Sequence, residues 1–118
     1  MAHIMLSNKH NKDLNEFRKH CERYIRMLNL NNWAVAYELG EKGTEHNACC
    51  RYDVIGQKAV MVLSSDYERQ VPIKSLAKHE CLELLLADMA TKMNSVYVNS
   101  IVDCECHRVI NRLMNVID

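Results

Sequence analysis

Residues 81–89, CLELLLADM, are apolar most of the way around a helix. Such a helix has little face to offer water, so other elements must enclose it. The pattern predicts one helix over about 73–93, with Pro72 suited to its first turn and 65–70 as the loop before it. A chain of 118 residues fits a single domain and can bury a core without disulfide staples. The rest of the chain must therefore supply the cover for this helix.

Four further elements are legible. Over about 11–29, Leu14, Phe17, Cys21, Tyr24, Ile25 and Leu28 recur at three-four spacing, one face of an amphipathic helix. Trp33, Val35, Tyr37 and Leu39 alternate with smaller or polar neighbours, as in a strand with one buried face. After a polar loop at 40–47, ACCRYDVI and AVMVLSS are two extended runs that GQK joins as a hairpin. NSVYVNS reads as a loop or helix start. A last helix over about 101–117 has Val102, Cys106, Val109, Leu113 and Val116 as its expected core stripe. Three strands in a block with helices on one side predict an α+β domain. The opening MAHIM reads as a cloning remnant ahead of a native Met5, with 1–10 outside the folded domain.

Composition narrows the function. Lys+Arg and Asp+Glu number 15 each, which argues against non-specific nucleic-acid binding, since that leans on excess positive charge. Lys9, Lys12, Arg18, Lys19, Arg23 and Arg26 nevertheless gather on the first helix. Their plain reading is a solvated face; the sharper one is a surface for nucleic acid or a protein partner. Six cysteines could form disulfides. Cys21 and Cys81 instead sit inside apolar helical patterns, and no secretory signal precedes them, so a cytoplasmic setting with free thiols is expected. No apolar run approaches the ~20 residues of a membrane span.

The chemistry concentrates at KHECLELLLADM. Positions i and i+4 share a helix face, so His79 and Glu83 point the same way and Glu80 flanks the same spot. Charged groups facing into so apolar a helix need compensation. A divalent ion provides it, and imidazole and carboxylate are both ordinary ligands at that spacing. Glu80 would be the general base toward a water acidified by the metal. With Glu83 where H-E-x-x-H carries a second histidine, the site holds more ligand charge. It should be a weaker Lewis acid, less selective for zinc against Mn or Fe. A third ligand is expected from DCECH in the last helix. Glu105, bordering the apolar stripe, is the first choice; His107, about 200° away around the helix, is the second.

Taken together, WAVAY, ACCRYDVIGQKAVMVLSS, IKSLAKHECLELLLADM and ECHRVINRL resemble small phage-encoded zinc metallopeptidases of the SprT-like and minimal gluzincin kind. The resemblance spans two-thirds or more of the chain. It implies a zincin-like fold in the host cytoplasm: a helix, a small sheet, a buried active-site helix and a closing helix bearing an acidic ligand. By position His79 matches the first ligand, Glu80 the base and Glu105 the acidic ligand, while Glu83 departs from the pattern. The implied activity is hydrolysis of a peptide lying along an edge strand at about 59–64.

Other readings compete. Glu83 could pair with Arg51 or Arg108, leaving His79 a satisfied core histidine. Cys104 and Cys106 with Cys49, Cys50 or His46 could hold a structural zinc, although the spacing is poor. Cys81 with His79 or His107 could be nucleophilic, although nothing nearby would activate its thiol. The fold could also serve as a non-catalytic binding or regulatory protein acting on a protein or nucleic acid through its surface.

Overall fold

The computed structural model describes residues 8–40, 46–67 and 70–118. The expected remnant at 1–5 and most of the expected loop at 40–47 lie outside the described residues. The order is α1 (Asn8–Met27), β1 (Ala34–Gly40), β2 (Ala48–Asp53), β3 (Lys58–Ser64), α2 (Ile73–Leu85), α3 (Ala87–Asn94) and α4 (Asn99–Val116). The class is α+β, as the pattern predicts; the described residues form four helices, one more than expected, and a small mixed sheet.

α1 buries Phe17, Cys21, Tyr24 and Ile25, the expected stripe, with Leu14 and Leu28 packed at its margin. Asn29 ends the helix in the left-handed region at φ 57°. Among residues with a Cβ, Asn tolerates that conformation best. In β1, Val35, Tyr37 and Leu39 turn inward while Ala34, Ala36 and Glu38 face out. This is the alternation expected of a half-covered strand.

The sheet order is β1-β3-β2, with β1 parallel and β2 antiparallel to β3. The hairpin joins β2 to β3 as predicted, but β3 is the central strand rather than an edge. A peptide therefore cannot add along 59–64, because both sides of β3 are already paired. The near-continuous apolar run KAVMVLS was itself the mark of a central strand. Ala59, Met61, Val62, Leu63 and Ser64 are all buried, so both faces are covered. The edges are β1 and β2.

The predicted 73–93 helix is two helices. Leu86, at φ −91° and ψ 0°, interrupts it, and its N–H is shared between the carbonyls of Leu82 and Glu83. Neither Pro nor Gly marks the break in the sequence. Past it, Met89 is exposed, so enclosure of the apolar stretch stops about where α2 does. On α4 the expected stripe is rotated: Val102 and Ile110 are buried, whereas Val109 and Val116 are exposed. The far end of α4 is held by side chains of α1 and α2. The Lys78 ammonium donates to the carbonyls of Met114 and Ile117, and the Tyr24 hydroxyl donates to the Asp118 carbonyl at 2.6 Å. Among the described residues, no helix is long and apolar enough to cross a membrane.

Candidate metal centre

α2 and α4 bring His79, Glu83 and His107 together. Their ligand atoms all lie within 4.8 Å of one another, and no other such group occurs among the described residues. His79 and Glu83 owe their common face to the i, i+4 spacing within α2. His107 arrives from α4, with its ring centroid 5.9 Å from that of His79. Both imidazole Nε2 atoms point at one oxygen, Glu83 Oε1, at 3.3 Å from His79 and 3.5 Å from His107.

Those distances are informative. A charge-assisted N–H···O bond closes to about 2.7–2.9 Å. A tetrahedral ion with arms of ~2.0–2.1 Å sets its ligand atoms about 3.3–3.4 Å apart. The two nitrogen–oxygen separations are longer than a closed charge-assisted bond and match two edges of a coordination tetrahedron, while the two nitrogens lie within 4.8 Å of each other. The surroundings of the other His107 ring nitrogen are compatible with a ligand role for Nε2. Its Nδ1 lies 2.9 Å from the Asp103 carbonyl oxygen, with Asp103 Oδ1 at 3.5 Å. A proton donated there leaves Nε2 to face the Glu83 carboxylate either with a proton of its own or with a lone pair available to a cation. A hydrogen bond from the other ring nitrogen orients metal-ligating histidines in this way. Two electron-rich atoms so placed repel unless a proton or a cation lies between them. The group can therefore hold a metal ion.

Glu80 lies deeper, 5% exposed, and its Oε1 has no hydrogen-bond partner among the described residues. Burial pushes its carboxyl up to about 9, helped by the negative charge of Glu83 and a hydrogen bond to it. Burial also acts upward on Glu83. It is outweighed by hydrogen bonding and charge from His79, the bond from Glu80 and the charge of His107, so Glu83 is held below its ordinary value. Burial thus favours the protonated form of Glu80, whereas the imidazoles favour the carboxylate form of Glu83.

A cleft of about 520 Å³ opens beside Glu83 and His107, lined also by Cys50 and Tyr52 of β2, Leu86, and Val102 and Ile110 of α4; His79 does not line it. Glu80 is not among its lining residues.

Glu105, the first choice for third ligand, is instead exposed and paired with Arg108 at 3.1 Å; His107 takes the place expected of it. The cause is the rotation of α4. Once Ile110 rather than Val109 is buried, the face carrying His107 turns toward α2 and the face carrying Glu105 turns to solvent. Neither arginine proposed as a partner for Glu83 is paired with it, since Arg51 binds Glu38 and Arg108 binds Glu105. All six cysteines are free thiols, and none joins a ligand group among the described residues. Cys81 is fully buried with its thiol directed at the Cys21 carbonyl, 3.6 Å away and toward α1, which removes it as a nucleophile in the cleft. The basic residues of α1 lie on its exposed face among Glu16 and Glu22. Comparisons with models of known protein families, with curated proteins and with solved structures find no match to the chain.

Proposed function

We propose that this chain is a zincin-like, metal-dependent hydrolase acting on a peptide bond, with His79, Glu83 and His107 as the ligands. The observation that carries the reading is the convergence of two imidazole nitrogens on one carboxylate oxygen, at 3.3 and 3.5 Å, with Glu83 and His107 lining a cleft. Two histidines, one carboxylate and an open position make an ordinary catalytic zinc set. A bound divalent ion would supply Lewis acidity and an activated water. The extra negative charge expected from Glu83 is offset, because the third ligand is a histidine rather than Glu105. The set then carries one carboxylate, the same charge as a usual two-histidine, one-acid site. Zinc suits it best. Mn and Fe follow, since the same donors serve non-haem iron.

Glu80 is the base in this reading. A cation held by Glu83 would lower the Glu80 pKa and favour its ionised form. The peptide would lie in the cleft along β2, the edge strand that contributes Cys50 and Tyr52 to the wall. A second reading is favoured by the burial of Glu80 away from the cleft lining: a metal-binding module without turnover, in which Glu80 only orients Glu83.

Metal analysis and turnover separate the two. The purified protein should bind about one equivalent of zinc, lost in His79→Ala and His107→Ala. It should also cleave an unstructured protein substrate such as casein in a chelator-sensitive way. Glu80→Gln should keep the metal and abolish cleavage. Metal binding with no cleavage in any preparation favours the module, and no binding at all removes both readings.

A further inference from the structure

α4 carries more apolar surface than the rest of the protein covers. At ~100° per residue, Ile101, Glu105, Val109, Arg112 and Val116 fall within roughly 80° of arc, beside the buried Val102–Ile110 stripe. All five are exposed, Ile101 by 55%, Val109 by 37% and Val116 by 75%. Valine and isoleucine in a row along one helix face, with one acid and one base between them, make a surface suited to another helix.

The order of these residues identifies the occupant. Read backwards, the row is its own complement. We propose that α4 pairs antiparallel with α4 of a second copy of this chain, about a two-fold axis passing between Arg108 and Val109. Ile101 then faces Val116 of the partner subunit, Glu105 faces Arg112 of the partner subunit, and the two Val109 side chains meet near the axis. The contact is isologous, so every attraction occurs twice. A parallel pairing would instead set Glu105 against Glu105 and Arg112 against Arg112, like charges in contact. The row extends over about 22 Å at 1.5 Å per residue. Glu105 keeps Arg108 as its neighbour within the helix while presenting its outer side to the second copy. His107 lies about 200° from Glu105 around the helix. The ligand trio and the cleft therefore face away from the contact, and the pairing stands or falls independently of any metal.

Sedimentation equilibrium of the full chain, in chelator and over micromolar to submillimolar concentrations, tests it. The mass should climb from 13.7 kDa toward twice that value. Val109→Glu should remain monomeric throughout. Glu105→Arg and Arg112→Glu should each weaken association by roughly tenfold or more, because each sets like charges across the pair. The double variant should recover, since both cross-pairs re-form with their signs exchanged. Circular dichroism should show all four folded, as every altered side chain is exposed. A monomer at all concentrations overturns the proposal. So does a dimer indifferent to Val109→Glu, or a double variant no better than its parents; either of those assigns the surface to a different partner.

Discussion

α2 presents two unlike faces. Toward α1 it contributes Ala77, Cys81 and Leu84, which share one continuous core with Phe17, Cys21 and Tyr24. Toward α4 it contributes Lys78, His79 and Glu83, all part-exposed, which meet two backbone carbonyls and His107. The first seam is held by apolar burial and is indifferent to pH and metal. The second is held by lone pairs and charges, so its strength depends on what occupies the space between them. A single helix thus separates the part of the molecule that fixes the fold from the part that is open to chemistry.

The largest effect should come from breaking the apolar seam. Phe17→Ala should cost about 3–5 kcal/mol, the range for truncating a fully buried aromatic. Urea unfolding should show the same loss with zinc and with chelator. A loss confined to chelator would mean that the two seams are not separable.

Next comes the polar seam loaded with metal. At free zinc one hundred times its dissociation constant, binding to the folded state alone stabilises by about 2.7 kcal/mol. Thermal melts should show that gain in the parent protein and lack it in Glu83→Ala and His107→Ala. An equal gain in either variant would place the metal elsewhere.

The same seam without metal should respond to pH through Glu80. Its folded value is raised to about 9, while the unfolded carboxyl keeps an ordinary one. Between the two, the folded state binds a proton that the unfolded state has released, so stability falls as pH rises, by up to about 1.4 kcal/mol per pH unit. Glu83 runs the other way. Its pKa is lowered in the fold, so its contribution is present above the ordinary carboxylate value and is lost as pH falls through the folded one. Glu80→Gln keeps the shape without the charge. In chelator it should be more stable than the parent at about pH 8 and flatten the slope between about pH 5 and 9. A parent protein whose urea midpoint does not fall across that range would show that Glu80 is ionised in the fold.

The apolar seam was legible in the sequence and the polar one only in part, for a physical reason. α1 has one narrow stripe, so three-four spacing fixes which side is buried. Apolar residues of α4 are spread over about half its circumference, from Ile101 round to Ile110. Spacing then leaves its rotation free by nearly a quarter turn, and only packing against α2 chooses. The choice of Val109 over Ile110 as the buried residue was enough to exchange Glu105 for His107 as the expected ligand. The larger Ile110, with Ile117 two turns on, was the available clue. His79 and Glu83 lie on one helix and need no such choice, so the i, i+4 relation found them. The central place of β3 was also readable, in a strand with almost no polar face. The break at Leu86 was not, since it lacks both Pro and Gly.

The smallest effect sharpens the contrast most, because it separates the two acids by their surroundings rather than their chemistry. Glu105 and Glu83 are both carboxylates beside a basic group, yet Glu105 meets Arg108 in solvent whereas Glu83 meets two imidazoles at a cleft wall. An exposed i, i+3 pair is worth no more than about 0.5 kcal/mol and is weakened further by salt. Glu105→Ala should therefore leave the melting temperature nearly unchanged and zinc stoichiometry intact. Glu83→Ala, the same truncation on the neighbouring helix, should remove the metal. Calorimetric titration of both variants with zinc reads the difference directly. If Glu105→Ala also abolishes binding, α4 is rotated in solution so that its acid, and not His107, faces α2.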